Sequence, residues 1–175
     1  MNDVAEFSRP QIADEIDLKG LEVSFEADEA ERKALAARFE LQSLENLSAV
    51  LTVNRSDKTG EVEVRGNLSA SYIQKCVVTL VPVALLLEET IEAFFGNGCN
   101  EQITAEIDVD RPNAPEPIID NVIDLGELVA QQFAVSIDPY PRAPGAKIPT
   151  DGIIFGQKMD QSGENHPFAA LRRLK

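Results

Sequence analysis

The sequence predicts an α+β protein: a curved antiparallel β-sheet, barrel-like or sandwich-like, with two main helices and a flexible C-terminal segment. Three observations carry this reading. Two segments, near residues 28–39 and 124–137, combine capping residues with apolar side chains at helical spacing. Between them, residues 48–95 hold long runs of strand-type patterning. After the second helix the patterning stops, and beyond a Pro-rich stretch the chain ends on a short basic peptide.

A chain of 175 residues fits one domain with attached arms. At that length roughly 70% of the unfolded surface can be hidden, so folding requires neither metal nor disulfide. Two cysteines, and an N-terminus "MNDVAEFSRPQIADEID" that lacks a basic stretch followed by an apolar one, point to a reducing, cytoplasmic setting. The Asn-x-Ser triplets at Asn46 and Asn67 are then chance matches. The longest apolar run, Cys76 to Leu87, is about half of what a membrane-spanning helix requires, so no membrane partner is expected.

The elements follow in order. Residues 1–20 read as an extended arm with some strand character, broken at Pro10 and Gly20. In "VSFEADEAERKALAARFE" Asp28 and Glu31 form a capping-box pattern, and Ala30, Ala34, Leu35, Arg38 and Phe39 recur at helical spacing. Leu41, Leu44 and Leu47 lead to a strand at "SAVLTVN", "RSDKTG" is turn chemistry, and "EVEVRGNL" alternates Val62, Val64 and Leu68 with polar residues, predicting a hairpin. "ASYIQKCVVTLVPVALLLEE" has apolar residues on both strand faces, which predicts a strand covered on both sides, with Pro82 marking an edge, a bulge or a break. "TIEAFF" resumes the alternation, and "ITAEIDVD" suits a short strand. In "DLGELVAQQFAVSID" Asp124 caps a helix, Glu127 completes a capping box, and Leu125, Leu128, Val129, Phe133 and Ile137 share one face. "PYPRAPGAKIPTDG" has four prolines and excludes regular structure. The resulting division is an α+β domain over 1–140, a Pro/Gly-rich linker over 141–163 and a tail over 164–175.

Catalytic constellations are not apparent. His166, the single histidine, lies beside Pro167 without neighbouring ligands, and the acids at Asp108 and Asp110 read as a solvated face. "FGNGCN" lacks the third glycine and the helix of a phosphate-binding turn. No enzyme activity and no cofactor are expected.

Charge divides the chain unevenly. The whole carries a net −14, yet the last ten residues contain Arg172, Arg173 and Lys175 and no acid; everything before His166 has 13 basic against 30 acidic residues. Such a body repels polyanions, and basic proteins are its natural partners. In the tail, Asn165 can cap a helix with Pro167 in its first turn, placing Phe168, Leu171 and Leu174 on one face. About two turns of helix are unstable alone, so the tail is expected to order only on docking, on its own body or on another molecule. Pro167, Phe168, Leu171, Arg172, Arg173 and Lys175 are the expected partner-binding residues.

Three segments, "KCVVTLVPVALLLEETIEAFF", "IDLGELVAQQFAVSIDPYPRAPGA" and "HPFAALRRLK", in this order and spacing, resemble the YceD family of bacterial large ribosomal RNA subunit accumulation proteins, and within it the alphaproteobacterial branch. The resemblance runs over nearly the whole chain. It implies a role in synthesis, processing or stability of 23S ribosomal RNA, without established catalytic residues. Its implied partners are the large ribosomal subunit precursor, 23S rRNA or a basic ribosomal protein; oligomeric state stays open. Many family members carry a Cys-x-x-Cys where this chain has Cys76 to Thr79, and some have a second cysteine cluster later, a pattern that suits zinc. Here only Cys76 of that set is present, so no structural metal is expected. The reading is a non-enzymatic accessory factor with an acidic body and a basic docking tail. The alternatives are an acidic chaperone for a basic ribosomal protein, or direct RNA binding through Arg55, Arg65, Lys75 and the tail.

Overall fold

The computed structural model describes residues 5–17, 19–57, 59–96 and 115–147. The "ITAEIDVD" segment, residues 148–163 of the expected linker, His166 and all of the expected docking residues, from Pro167 to Lys175, lie outside them. The described residues up to Pro144 form one compact unit, and Gly145 onward is divided from it.

In the first unit the elements are β1 (Pro10–Ile12), a 3-10 turn (Ala13–Glu15), β2 (Leu21–Glu26), α1 (Glu29–Arg38), β3 (Ser43–Arg55), β4 (Val62–Lys75), β5 (Pro82–Gly96), β6 (Glu116–Pro117), β7 (Val122–Asp124) and α2 (Leu125–Ser136). The fold is α+β. A five-stranded sheet runs β2-β3-β4-β5-β6, antiparallel except for the short parallel β5–β6 pair, and β1 pairs separately with β7. The expected barrel is not closed, because the strand order ends at β2 and β6 without pairing them.

Alternation decides which face of the sheet is covered. Leu47, Ala49, Leu51 and Val53 of β3, Val62, Val64, Leu68, Ala70 and Tyr72 of β4, and Ile91 and Phe95 of β5 all point inward and are buried. Leu35 of α1 and Val129, Ala130 and Phe133 of α2 join them, with Phe133 edge-on to Tyr72 at 5.3 Å and to Phe39 at 5.8 Å. Fully burying a side chain of this size contributes about 1.5–3 kcal/mol, so this row supplies most of the driving force that local propensity lacks.

Both helices start where capping predicts. Asp28 accepts from the N–H of Glu31 at 2.8 Å, and Glu31 returns a bond to the N–H of Asp28 at 2.8 Å. Asp124 accepts from the N–H groups of Gly126 and Glu127, but Glu127 does not complete a box: its carboxylate is taken by Arg38 at 2.8 Å. Of the residues at helical spacing in α1, Leu35 is buried and Ala30 exposed, and Ala36 packs inward beside Leu35.

Three other expectations are corrected. Pro10 opens β1 rather than breaking the arm, a position where a missing N–H is tolerated. Leu21, Val23 and Phe25 alternate with Glu22, Ser24 and Glu26 as β2, a strand that the helix signal immediately after it obscured. The apolar run at 76–87 is not one strand covered on both sides. Cys76 to Val81 form the β4–β5 turn, Pro82 is the first residue of β5, and Leu80 and Leu86 stand 72% and 85% exposed.

The N-terminal arm is part of the core. Phe7 is fully buried and meets Phe25 edge-on at 5.6 Å, while Ser8 Oγ and the N–H of Arg9 donate to Asp124 at 2.6 and 2.7 Å. The arm crosses α2 so closely that a Cβ at Gly126 would collide with the carbonyl oxygen of Phe7. A comparable approach occurs at Gly66, where a Cβ would strike the backbone of Val50 and Leu51.

Candidate functional site

The uncovered face of the sheet is set by the same alternation. Three cross-strand rows lie on it: Glu26, Ser48, Ser69, Glu88; Ser24, Val50, Asn67, Thr90; and Glu22, Thr52, Arg65, Glu92. Acids stand at both margins of the first and third rows, and Ser24 and Thr90 at those of the middle one. Arg65 is neutralised within the face, bonding Glu63 at 2.7 Å and Glu92 at 2.8 Å. A shallow depression of about 500 Å³ crosses β3, β4 and β5 here, lined in part by Val50, Asn67, Ser69, Glu88, Glu89 and Thr90. Four glutamates against one paired arginine make these rows a surface for cations, and their short hydroxyl side chains leave the backbone of a partner free to approach.

At one end of β4 and β5 lies a second feature. The β4–β5 turn wraps the buried Cys76, whose Sγ accepts from the N–H groups of Ala143 at 3.3 Å and of Val78 and Thr79 at 3.4 Å. These donors, that of Ala143 first and the Thr79 side chain next, lower the thiol from its ordinary 9.0 to about 6 against the opposing effect of burial. The N–H of Val77 donates to the carbonyl of Pro141 at 2.9 Å, so the turn and residues 139–143 are clamped together. Beside the clamp is a cavity of about 490 Å³, lined by Gln42, Gln74, Lys75, Val77, Pro139 and Pro141 among others. Thr79 stands where a Cys-x-x-Cys would place its second thiol, and no three His, Cys, Asp or Glu side chains converge among the described residues.

The basic residues expected to serve RNA are dispersed. Arg55 lies on the inward side of β3, bonded to Asp14 at 3.0 Å and opposite Val62 at the far end of β4. Arg65 is on the outer face, and Lys75 closes β4 ten residues later, roughly 33 Å along the strand. The three do not form a common patch. Arg9 and Arg38 are also engaged: Arg9 with Glu31 at 2.7 Å, Arg38 with Glu6 at 3.0 Å and Glu127 at 2.8 Å. Hydrogen bonding to these guanidinium groups holds Glu31 and Glu127 below the usual glutamate range.

Sequence reading missed the acidic rows because each glutamate is unremarkable by itself; only the pairing register brings Glu22 to Glu92 and Glu26 to Glu88 across one face. The available signal was the polar half of each alternating strand. Comparison with known proteins adds the lineage. The family described as Large ribosomal RNA subunit accumulation protein YceD matches residues 64–175. The chain belongs to the YceD family. That match covers β4 from Val64 on, the Cys76 turn, β5 and α2, and it ties the chain to accumulation of large-subunit ribosomal RNA. No curated protein and no solved structure matches. No described helix is long and apolar enough to cross a membrane.

Proposed function

We propose that the protein is a non-enzymatic, cytoplasmic accessory factor in 23S rRNA accumulation and large-subunit biogenesis, acting as an acidic chaperone that holds a basic ribosomal protein. The acidic body, residues 1–140, receives the partner. Of the linker expected over 141–163, residues 141–143 are held at the Cys76 turn, so the linker proper starts after them. The tail at 164–175 docks on the subunit precursor, with Phe168 and Leu171 as apolar contacts and Arg172, Arg173 and Lys175 as charged ones. The quoted resemblance further favours the alphaproteobacterial branch. Family membership supports the link to ribosomal RNA. The observation that carries the partner class is the outer face of the sheet, where Glu22, Glu26, Glu88 and Glu92 outnumber a single, already paired arginine. Phosphate backbones are held by clustered Lys and Arg, and Arg55, Arg65 and Lys75 are not clustered.

Affinity purification of the tagged full chain, with and without nuclease, tests this. Large-subunit ribosomal proteins retained after nuclease support the chaperone reading; loss of all ribosomal material on nuclease treatment replaces it with tethering through RNA. Deleting residues 164–175 is expected to abolish co-sedimentation with subunit precursors, while unchanged co-sedimentation removes the tail from the proposal.

A further inference from the structure

The free margin of β5 differs from the rest of the surface. Apart from Phe95 and Gly96, which pair with β6, β5 is laddered on one side only, to β4. From Val83 to Phe94 the other side presents a row of N–H and C=O groups with no strand partner among the described residues. Exposed edges are commonly blunted by an inward lysine, an internal proline or a bulge. Here Pro82 sits at the very start, residues 83–94 contain no lysine, and the register with β4 is unbroken.

The side chains on this strand define what can pair with it. Toward the outer face Leu86 is followed by Glu88; toward the inner face Leu87 is followed by Glu89. Each face therefore offers a leucine and then an acid. Leu86, Glu88, Glu89 and Thr90 are exposed, and Arg65 spends its ion pairs on Glu63 and Glu92. Directly opposed residues on neighbouring strands interact at 4.5–5.5 Å, with opposite charges favoured and like charges disfavoured. A second copy of this chain paired about Glu88 and Glu89 would set acid against acid, and RNA would bring phosphates to them.

Resting on the reading of a basic protein partner, we propose that β5 receives an extended basic segment of that partner as an added strand, by main-chain pairing along residues 83–94. Basic residues of the segment lie opposite Glu88 and Glu89, and adjoining apolar ones opposite Leu86 and Leu87. Main-chain bonds give such additions their affinity, and the alternating side chains their selectivity.

The test uses the isotope-labelled full chain and a short synthetic peptide with a Lys-Lys-Lys-Val-Val-Val core. Amide exchange should slow at alternate residues between 83 and 94. Peptide N-methylated at alternate residues should bind about tenfold more weakly in one register and almost unchanged in the other, because only one set of N–H groups faces the edge. Glu88→Lys with Glu89→Lys should weaken binding about tenfold without moving the thermal midpoint, as charge reversal at exposed positions does. Equal loss from both N-methylated registers, absence of alternating protection, the same protection produced by poly-uridine RNA, or protection that grows with protein concentration alone would each overturn strand addition. Capture of large-subunit ribosomal proteins after nuclease is scored on the same preparation. Capture kept without alternating protection overturns only the strand addition; capture lost overturns the basic-partner reading beneath it.

Discussion

β2 and β5 both lie beside the long strands of the central sheet, yet one is short and anchored and the other long and, among the described residues, mostly unpaired on its second side. β2 spans six residues, and the N-terminal arm ties it down: Phe7 packs on Phe25, and the Arg9 guanidinium reaches the carbonyl of Glu26 while pairing with Glu31. β5 spans fifteen residues, of which two are continued by β6. Its defence against unwanted pairing is charge, carried by Glu88, Glu89 and Glu92. The arm's contacts on β2 are to one ring and one terminal carbonyl, whereas the acids on β5 favour some neighbouring strands over others by charge. Under the proposed strand addition, recognition falls on the β5 side.

The comparison breaks most severely if the arm is detached. Phe7→Ala removes a fully buried ring that contacts Phe25, and a loss of about 3–5 kcal/mol is expected by chemical denaturation. The arm amides of Arg9, Gln11 and Ile12 should then exchange faster than the centre of β4. Gly126→Ala attacks the same crossing from α2 by forcing a Cβ against the Phe7 carbonyl. Overpacking of this kind should cost about 1–3 kcal/mol, and a stability equal to wild type would show that the arm does not cross there.

On the β5 side, the Cys76 turn should make stability depend on pH. The folded thiol titrates at about 6, below its ordinary 9.0, so the unfolded chain holds the extra proton between those values. Stability from this group is therefore fully present above 9.0, declines as pH falls, and is gone below about 6. Thermal midpoints of wild type should rise relative to those of Cys76→Ala across that window, and parallel profiles would refute the thiolate. Arg38→Ala, on the anchored side, should cost about 0.5–1 kcal/mol, since the guanidinium is partly exposed. The depressed Glu127 puts that contribution above the ordinary glutamate range and removes it as pH falls through the lowered value, so the gap between variant and wild type should close in acid. Smallest of all, Leu86→Lys should change stability by no more than about 0.5 kcal/mol because the side chain is 85% exposed. A larger loss would mean that the β5 margin is covered in solution.

The sequence by itself determined the local starts and the buried pattern. Asp28 with Glu31, and Asp124, mark helix beginnings because their carboxylates meet N–H groups within three residues, a geometry that needs nothing distant. Val62, Val64 and Leu68 name the inner face of β4 because strand side chains alternate whatever the fold. Other features required the assembled chain. Glu127 looked like half of a capping box, but Arg38, 89 residues away in sequence, takes it first. The apolar run through Cys76 looked like a strand buried on both faces; the contacts of Ala143 and Pro141, brought back by α2, hold its first part as a turn instead. The acidic rows, and a β5 margin without a strand partner among the described residues, exist only once pairing register is set. Register follows from burying the opposite face, and neighbours across a sheet are arbitrarily far apart along the chain.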